Sequence, residues 1–274
     1  MSDLRATFRL QREMLLSLGF ACVEEEPDFS AFAVAETATA ALTPPMAPSA
    51  RSQQNHSPFP NPRSPSAAKR DQRYSIPISR EQRGSDDDRH LAITSVISEA
   101  ESCMKCGLHL TRKRTVAGEG SRDARLFVIG EIPSEDDDNA GAPFRGGELE
   151  ELMTNMLKAM GFKREDVFIT QAVKCRPPKG RSPDDSELEC CHHFLARQIE
   201  AVHPEVIVCF GQAALQSLIA DQEQRTLSKC RGRWLDYRGV AVMPTFALPY
   251  IVRNRDRKKV VWEDLQQVMR RLDG

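Results

Sequence analysis

From about residue 90 onward, apolar positions fall into short blocks of two kinds. "ARLFVIGE", "DVFITQAV", "PEVIVCFG" and "VAVMPTF" are near-continuous apolar runs, rich in Val, Ile and Phe, and they predict strands. Between and after them, "GELEELMTNMLKAMG", "SELECCHHFLARQIEAVH", "QAALQSLIA" and "VVWEDLQQVMRRL" repeat their apolar residues at helical spacing. Strands without polar alternation, separated by helices, imply a parallel sheet covered on both faces. In such a fold, sites form beyond the carboxyl ends of the strands. That directs attention to the segments after Ile129, Thr170, Phe210 and Thr245.

The rest of the chain has a different pattern. Leu4, Phe8, Met14, Leu15 and Leu18 recur at roughly helical spacing, and Gly19 follows as a stop, which predicts an amphipathic helix over residues 2–19 within a segment 1–21. Residues 22–89 are rich in Pro, Ser and Arg and lack periodicity. Such a stretch buries too little apolar surface to offset its ordering entropy, so a tether is expected there, with the folded domain over 90–274.

Composition narrows the function classes. Of the 274 residues, 40% are hydrophobic and 28% charged, as in an ordinary globular protein, and the net charge of −1 means that any affinity for a polyanion must come from local clustering. No apolar run is long enough to span a bilayer, and the charged N-terminus lacks the apolar core of a secretory signal. A cytoplasmic, reducing location without membrane contact is therefore expected, and there clustered cysteines point to metal or catalysis before disulfides.

Eight cysteines are present. Cys103 and Cys106 form a C-x2-C pair, and Cys175 and Cys191 bracket a stiff basic loop, "CRPPKGRSPDDSELECC". Together they suggest four thiolates around one metal centre, and the spacing leaves both zinc and an iron–sulfur cluster open. Between neighbours, Cys191 is preferred to Cys190, while Cys22, Cys209 and Cys230 are expected not to be ligands. A metal staple at both ends would hold Lys174, Arg176, Lys179 and Arg181 pointing outward, an arrangement suited to a phosphate backbone.

Taken together, "GEIPSEDDDNAGAPFRG", "VFITQAVKCRPPKGRSP", "RQIEAVHPEVIVCFG", "RGRW" and "MPTFALPYIVRNRDRKKVVWEDL" resemble the iron–sulfur uracil-DNA glycosylases of family four, in order over roughly residues 95–272. The resemblance implies a three-layer α/β/α fold around a central, mostly parallel four-stranded sheet. It also implies a [4Fe-4S] cluster, rather than zinc, on Cys103, Cys106, Cys175 and Cys191. The implied activity is DNA repair by hydrolysis of the N-glycosidic bond of a flipped uracil or related deaminated base, in single- or double-stranded DNA. Gly130, Glu131, Ile132 and Pro133 match the family's G-E-x-P turn, with Glu131 on the water side, and Ser134 replaces the turn's last glycine. Phe144 matches the aromatic that stacks on the base. Leu248, Pro249 and Tyr250 form an apolar wedge, and Arg253 begins a basic flank against DNA. The acidic run Glu135–Asp138 reads as a helix start.

Two positions depart from the family pattern. Gln171 stands where an asparagine amide reads the base edge, and Ala247 stands where a histidine donor belongs. These departures imply weakened or altered catalysis. The alternative is a non-catalytic member that binds damaged or single-stranded DNA. A monomer is expected, with its N-terminal helix available to a protein partner.

Overall fold

The computed structural model describes residues 85–221 and 224–274; the N-terminal helix expected over 2–19, most of the tether and Cys22 lie outside the described residues. Six strands form one sheet: β1 (Glu119–Gly120), β2 (Leu126–Gly130), β3 (Phe168–Gln171), β4 (Val206–Phe210), β5 (Leu235–Tyr237) and β6 (Val240–Thr245). Their spatial order is β1-β3-β2-β4-β6-β5. The four strands read from the apolar blocks are the inner four, and every pairing among them is parallel. The two edges, β1 and β5, are short antiparallel additions not expected from sequence, since two or three residues leave no alternation to detect.

Side-chain alternation along the strands divides the core into two layers. Phe127, Ile129, Phe168, Ile207, Cys209 and Val242 face one side, and Phe127 and Phe168, paired across β2 and β3, stack with ring centroids 5.0 Å apart. Leu126, Val128, Ile169, Val206, Val208 and Met243 face the other. Helices α1 (Asp86–Glu101), α4 (Asp185–Val202) and α5 (Gln212–Leu218) cover the first face, while α3 (Gly147–Ala159), α7 (Leu248–Arg253) and α8 (Lys258–Asp273) cover the second. The short α2 (Glu135–Ala140) and α6 (Leu227–Cys230) complete the helices among the described residues. This is the three-layer α/β/α arrangement expected above.

Local chemistry explains the helix ends. Ser85 and Asp88 form a capping box that starts α1 at Asp86, four residues ahead of the boundary read from composition, and Ile93, Val96 and Ala100 then bury into the core. Asp184 and Glu187 do the same for α4, which ends at His203 in the left-handed conformation. Ser134 and Asp137 box the acidic run into α2, as its charges suggested, and Gly141 (φ 74°) stops it.

At the carboxyl end of β6, Asp264 of α8 is 2% exposed. Its carboxylate accepts from Thr245 Oγ1 at 2.6 Å and from Arg231 Nη1 at 2.8 and 2.9 Å. Arg231 in turn lies over the Phe246 ring, 5.4 Å from its centroid. Replacing Asp264→Ala leaves a hydroxyl and a guanidinium without their acceptor. Urea denaturation should show a loss of about 3 kcal/mol, and a loss below about 1 kcal/mol would mean that Asp264 does not hold this corner.

Candidate functional site

Parallel register brings the key backbone positions together. Gly130 at the end of β2 pairs with Gln171 at the end of β3, and Ala172 N–H donates to Gly130 O at 2.8 Å. Beyond Gly130, the chain turns through Glu131, Ile132 and buried Pro133 into α2. The return loop places Phe144, 4% exposed and at φ 49°, back against the strand ends. A Cβ on Gly130 would lie 2.1 Å from Gln171 Oε1 and 2.4 Å from the Phe144 ring, so only glycine permits this approach. Half-buried Ile132 packs against the first core layer, whereas Phe144 belongs to the second.

The Gln171 side chain is 1% exposed. Its Nε2 donates to Asp137 Oδ2 at 3.2 Å, whereas Oε1 is buried with no partner among the described residues. A buried acceptor left unpaired costs about 1–3 kcal/mol, so this oxygen calls for an explanation. Asp137, 1% exposed, also accepts from Arg145 N at 2.6 Å and Ser134 N at 3.1 Å, and burial raises its carboxyl above the usual range. Sequence reading missed Asp137, because within "EDDD" it is indistinguishable from its neighbours.

Glu131 leans over Gly211, the residue that leads from β4 into α5 at φ 107°. Its Oε1 accepts from Ala213 N at 3.0 Å, and burial raises its carboxyl above the ordinary range. The carboxylate is therefore tied to the start of α5 while remaining at the strand ends.

On the far side, Ala247 opens α7 and brings no side-chain donor. The wedge read from sequence needs correction at one position. Leu248 is fully buried, packed into the core as the first residue of α7, so it is not available to DNA; Pro249 and Arg253 are exposed, and Tyr250 is half-buried with its ring 5.1 Å from Phe246.

The basic loop requires a larger correction. Lys174 does not point outward: it is 1% exposed, and its Nζ donates to Thr170 Oγ1 (2.5 Å), Gln171 O (2.8 Å) and Gln198 Oε1 (2.9 Å). The chain dives inward after β3, so Lys174 serves as an internal tie. Arg176 pairs with Glu135 at 3.1 Å and Arg181 with Glu187 at 2.6 Å, which leaves Lys179, at φ 55°, exposed at the loop tip. Arg176–Glu135 is a surface pair worth at most about 1 kcal/mol, weak enough for a phosphate to displace the carboxylate.

Cys103, after α1, Cys106, before the 3-10 turn Gly107–Leu110, Cys175, in the loop after β3, and Cys191, on α4, line one cavity. Cys190 lines it as well, half-buried, with its Sγ donating to Lys105 O at 3.6 Å. Cys209 is buried within β4, and Cys230 donates to Gln224 O at 3.2 Å; neither lines this cavity. Burial pushes the Cys106 thiol up to about 11 and the Cys191 thiol to about 12. Donors nevertheless converge on sulfur: Arg112 Nη1 reaches Cys175 Sγ at 3.1 Å, and Lys174 N–H reaches Cys191 Sγ at 3.2 Å.

Lys174 meets a lining thiol through its backbone N–H, while its buried ammonium lies among Thr170, Gln171 and Gln198, with Cys191 and Cys175 near enough to act on it electrostatically. Burial lowers it to about 8, and the acceptors named above are all neutral. A buried cation facing only neutral oxygens is costly unless an anion lies close by. Lys174, Arg112 and several thiols, with no carboxylate among the described lining residues, fit a thiolate-bound, net-anionic group. Among the described residues, no three His, Cys, Asp or Glu side chains converge closely enough to hold a single metal ion.

Comparison with known proteins identifies the family. A profile of the uracil DNA glycosylase superfamily matches residues 117–266. The chain is 41% identical over 179 residues to a type-4 uracil-DNA glycosylase of Thermotoga maritima, covering 64% of this chain and 92% of that protein. It is 42% identical over 144 residues to one of Archaeoglobus fulgidus (52% and 72% covered), and 35% over 186 residues to one of Saccharolobus solfataricus (65% and 86% covered). With its sheet and strand-end cluster inside the matched region, the chain belongs to the uracil-DNA glycosylase superfamily, in its type-4 branch.

Proposed function

We propose that this protein removes uracil from DNA by hydrolysing the N-glycosidic bond of a flipped nucleotide, as a DNA repair enzyme. The observation that supports this reading best is the unpaired, buried Gln171 Oε1 beside Phe144 and Gly130 at the strand ends. Uracil offers an N3–H donor next to its O4 acceptor. Gln171 answers with Oε1 and with the Nε2 hydrogen not given to Asp137. Phe144 supplies a ring face for stacking, which offsets part of the cost of unstacking the base in DNA. In this reading Glu131, held beside Gly211 by Ala213 N–H, orients a water toward the sugar carbon.

The leaving base departs with negative charge, and Ala247 offers no side chain to meet it. Loss of one such donor costs about 10²–10³ in turnover at comparable oxyanion sites, so the enzyme is slow rather than inert. Ala247 is also the observation favouring the second reading, a member that binds damaged DNA without cleaving it. Either way, DNA would meet Lys179, Pro249, Tyr250 and Arg253 on the exposed surface, together with Arg176 and Arg181 if their carboxylate partners yield.

In the same reading Cys103, Cys106, Cys175 and Cys191, which line one cavity, hold a [4Fe-4S] cluster, preferred to zinc on the resemblance to the iron–sulfur glycosylases of family four. When bound, it supplies an anionic, thiolate-ligated anchor between α1, α4 and the loop after β3. Lys174 and Arg112 provide the compensating positive charge and N–H donors to sulfur.

Three measurements test these assignments. Uracil-containing single- and double-stranded oligonucleotides, treated with protein and then alkali, should be cleaved at uracil over multiple turnovers; tight, salt-sensitive binding with no product at stoichiometric protein would establish the second reading instead. Since burial holds the Glu131 carboxyl above its usual range, kcat/KM should fall on acidification while the pH is still above ~4.3. Glu131→Gln should be slow and should lack that acid limb, and an unchanged profile would remove Glu131 from the chemistry. Finally, protein purified without oxygen should be brown, and Lys174→Met should hold less iron per chain. Full iron occupancy in that variant would contradict the charge-balance role.

A further inference from the structure

The Gln171 amide has two chemically opposite ends, and one neighbour selects between them. Both Asp137 oxygens already accept from backbone N–H groups, Oδ1 from Arg145 and Oδ2 from Ser134, so the carboxyl meets Gln171 as an acceptor, with Nε2 turned toward it and Oε1 turned away. The carboxylate cannot readily relax from this position, because Ser134 N–H and Arg145 N–H hold it from the other sides, and Asp137 and Gln171 are each 1% exposed. Chain length matters as well as charge. A short aspartate reaches from α2 and a long glutamine reaches from β3, and their tips meet at 3.2 Å.

We propose that Asp137 is a positioning residue that sets base specificity: it locks the Gln171 amide with its acceptor toward the base, so the site accepts an imide N–H edge and rejects cytosine. The proposal rests on the reading of Gln171 as the base-reading group. Uracil presents a donor at N3 and an acceptor at position 4, which match the locked amide. Cytosine presents an acceptor at N3 and an amino donor at position 4, so it meets the same amide with both signs wrong. A freely rotating amide would satisfy either base equally. Because DNA contains vastly more cytosine than uracil, such a lock has an evident use in avoiding damage to normal bases.

The lock also reframes the departure at Gln171. Shortening it alone, Gln171→Asn, withdraws the amide from Asp137. Lengthening the partner at the same time, Asp137→Glu with Gln171→Asn, keeps the number of methylenes between α2 and β3 unchanged and should re-form the bond.

The test compares full-length holoprotein variants using free uracil and free cytosine as probes, with binding followed by NMR at the side-chain amide of position 171. The parent should bind uracil well and cytosine poorly. In Asp137→Asn the lock becomes ambiguous, because an amide partner can either donate or accept, so the uracil-to-cytosine affinity ratio should fall about tenfold or more. Gln171→Asn should lose a similar factor, and the double Asp137→Glu/Gln171→Asn variant should recover most of it. An unchanged ratio in folded Asp137→Asn overturns the proposal. If Asp137→Asn does not fold, the double variant decides, and no gain over Gln171→Asn alone overturns it equally. Failure of the parent to bind uracil at all would instead sink the underlying assignment of the base site, and the two failures are therefore distinguishable.

Discussion

One buried lysine touches both the thiol cavity and the end of β3. Lys174 sits where β3 has just ended. Its side chain clamps Thr170 Oγ1, the Gln171 carbonyl and Gln198, while its own backbone N–H turns to the Cys191 sulfur. Burying that charge is unfavourable in isolation, and the proposed thiolate-bound cluster would offset it. In this account the inorganic centre and the base-reading amide are consecutive parts of one structure. The thiol cavity compensates Lys174, Lys174 fixes the end of β3, and the end of β3 carries Gln171.

The sheet supplies the other half of the constraint. Parallel register places Gly130 opposite Gln171, and the missing Cβ at Gly130 lets the amide and the Phe144 ring close over the strand end. The neighbouring β2–β4 junction holds Glu131 across Gly211 by the same means, a side chain lying where a second Cβ would clash. Two glycines at strand ends thus create the room in which side chains from different elements converge. Around them, α2 contributes Asp137, and Ala247 caps the start of α7.

Much of the fold was legible because β2, β3, β4 and β6 are buried on both faces and read as unbroken apolar blocks, and because α3, α4 and α8 carry clear helical periodicity. The edges β1 and β5 were invisible at two and three residues, and α1 was cut short because its first turn is polar and rests on a capping box. Cys103, Cys106, Cys175 and Cys191 line one cavity, but Cys190 lines it with them, so the fold does not separate the two neighbours that spacing left side by side. Lys174 and Leu248 were misread for a shared reason. Each was assigned by the company it keeps in sequence, a basic loop and an apolar tip, whereas the path of the backbone after β3 and after β6 turns both side chains inward. Asp137 was missed because its role comes from a partner 34 residues away, and nothing local separates it from the three other acids of its run.

The most direct test of the central claim is a crystal structure of the holoprotein soaked with free uracil. The account predicts the ring stacked on Phe144, its N3–H donating to Gln171 Oε1 while Nε2 stays on Asp137, with an iron–sulfur cluster on Cys103, Cys106, Cys175 and Cys191. Uracil bound away from Gly130, or a cavity whose four sulfurs hold no iron in a fully folded protein, would contradict it.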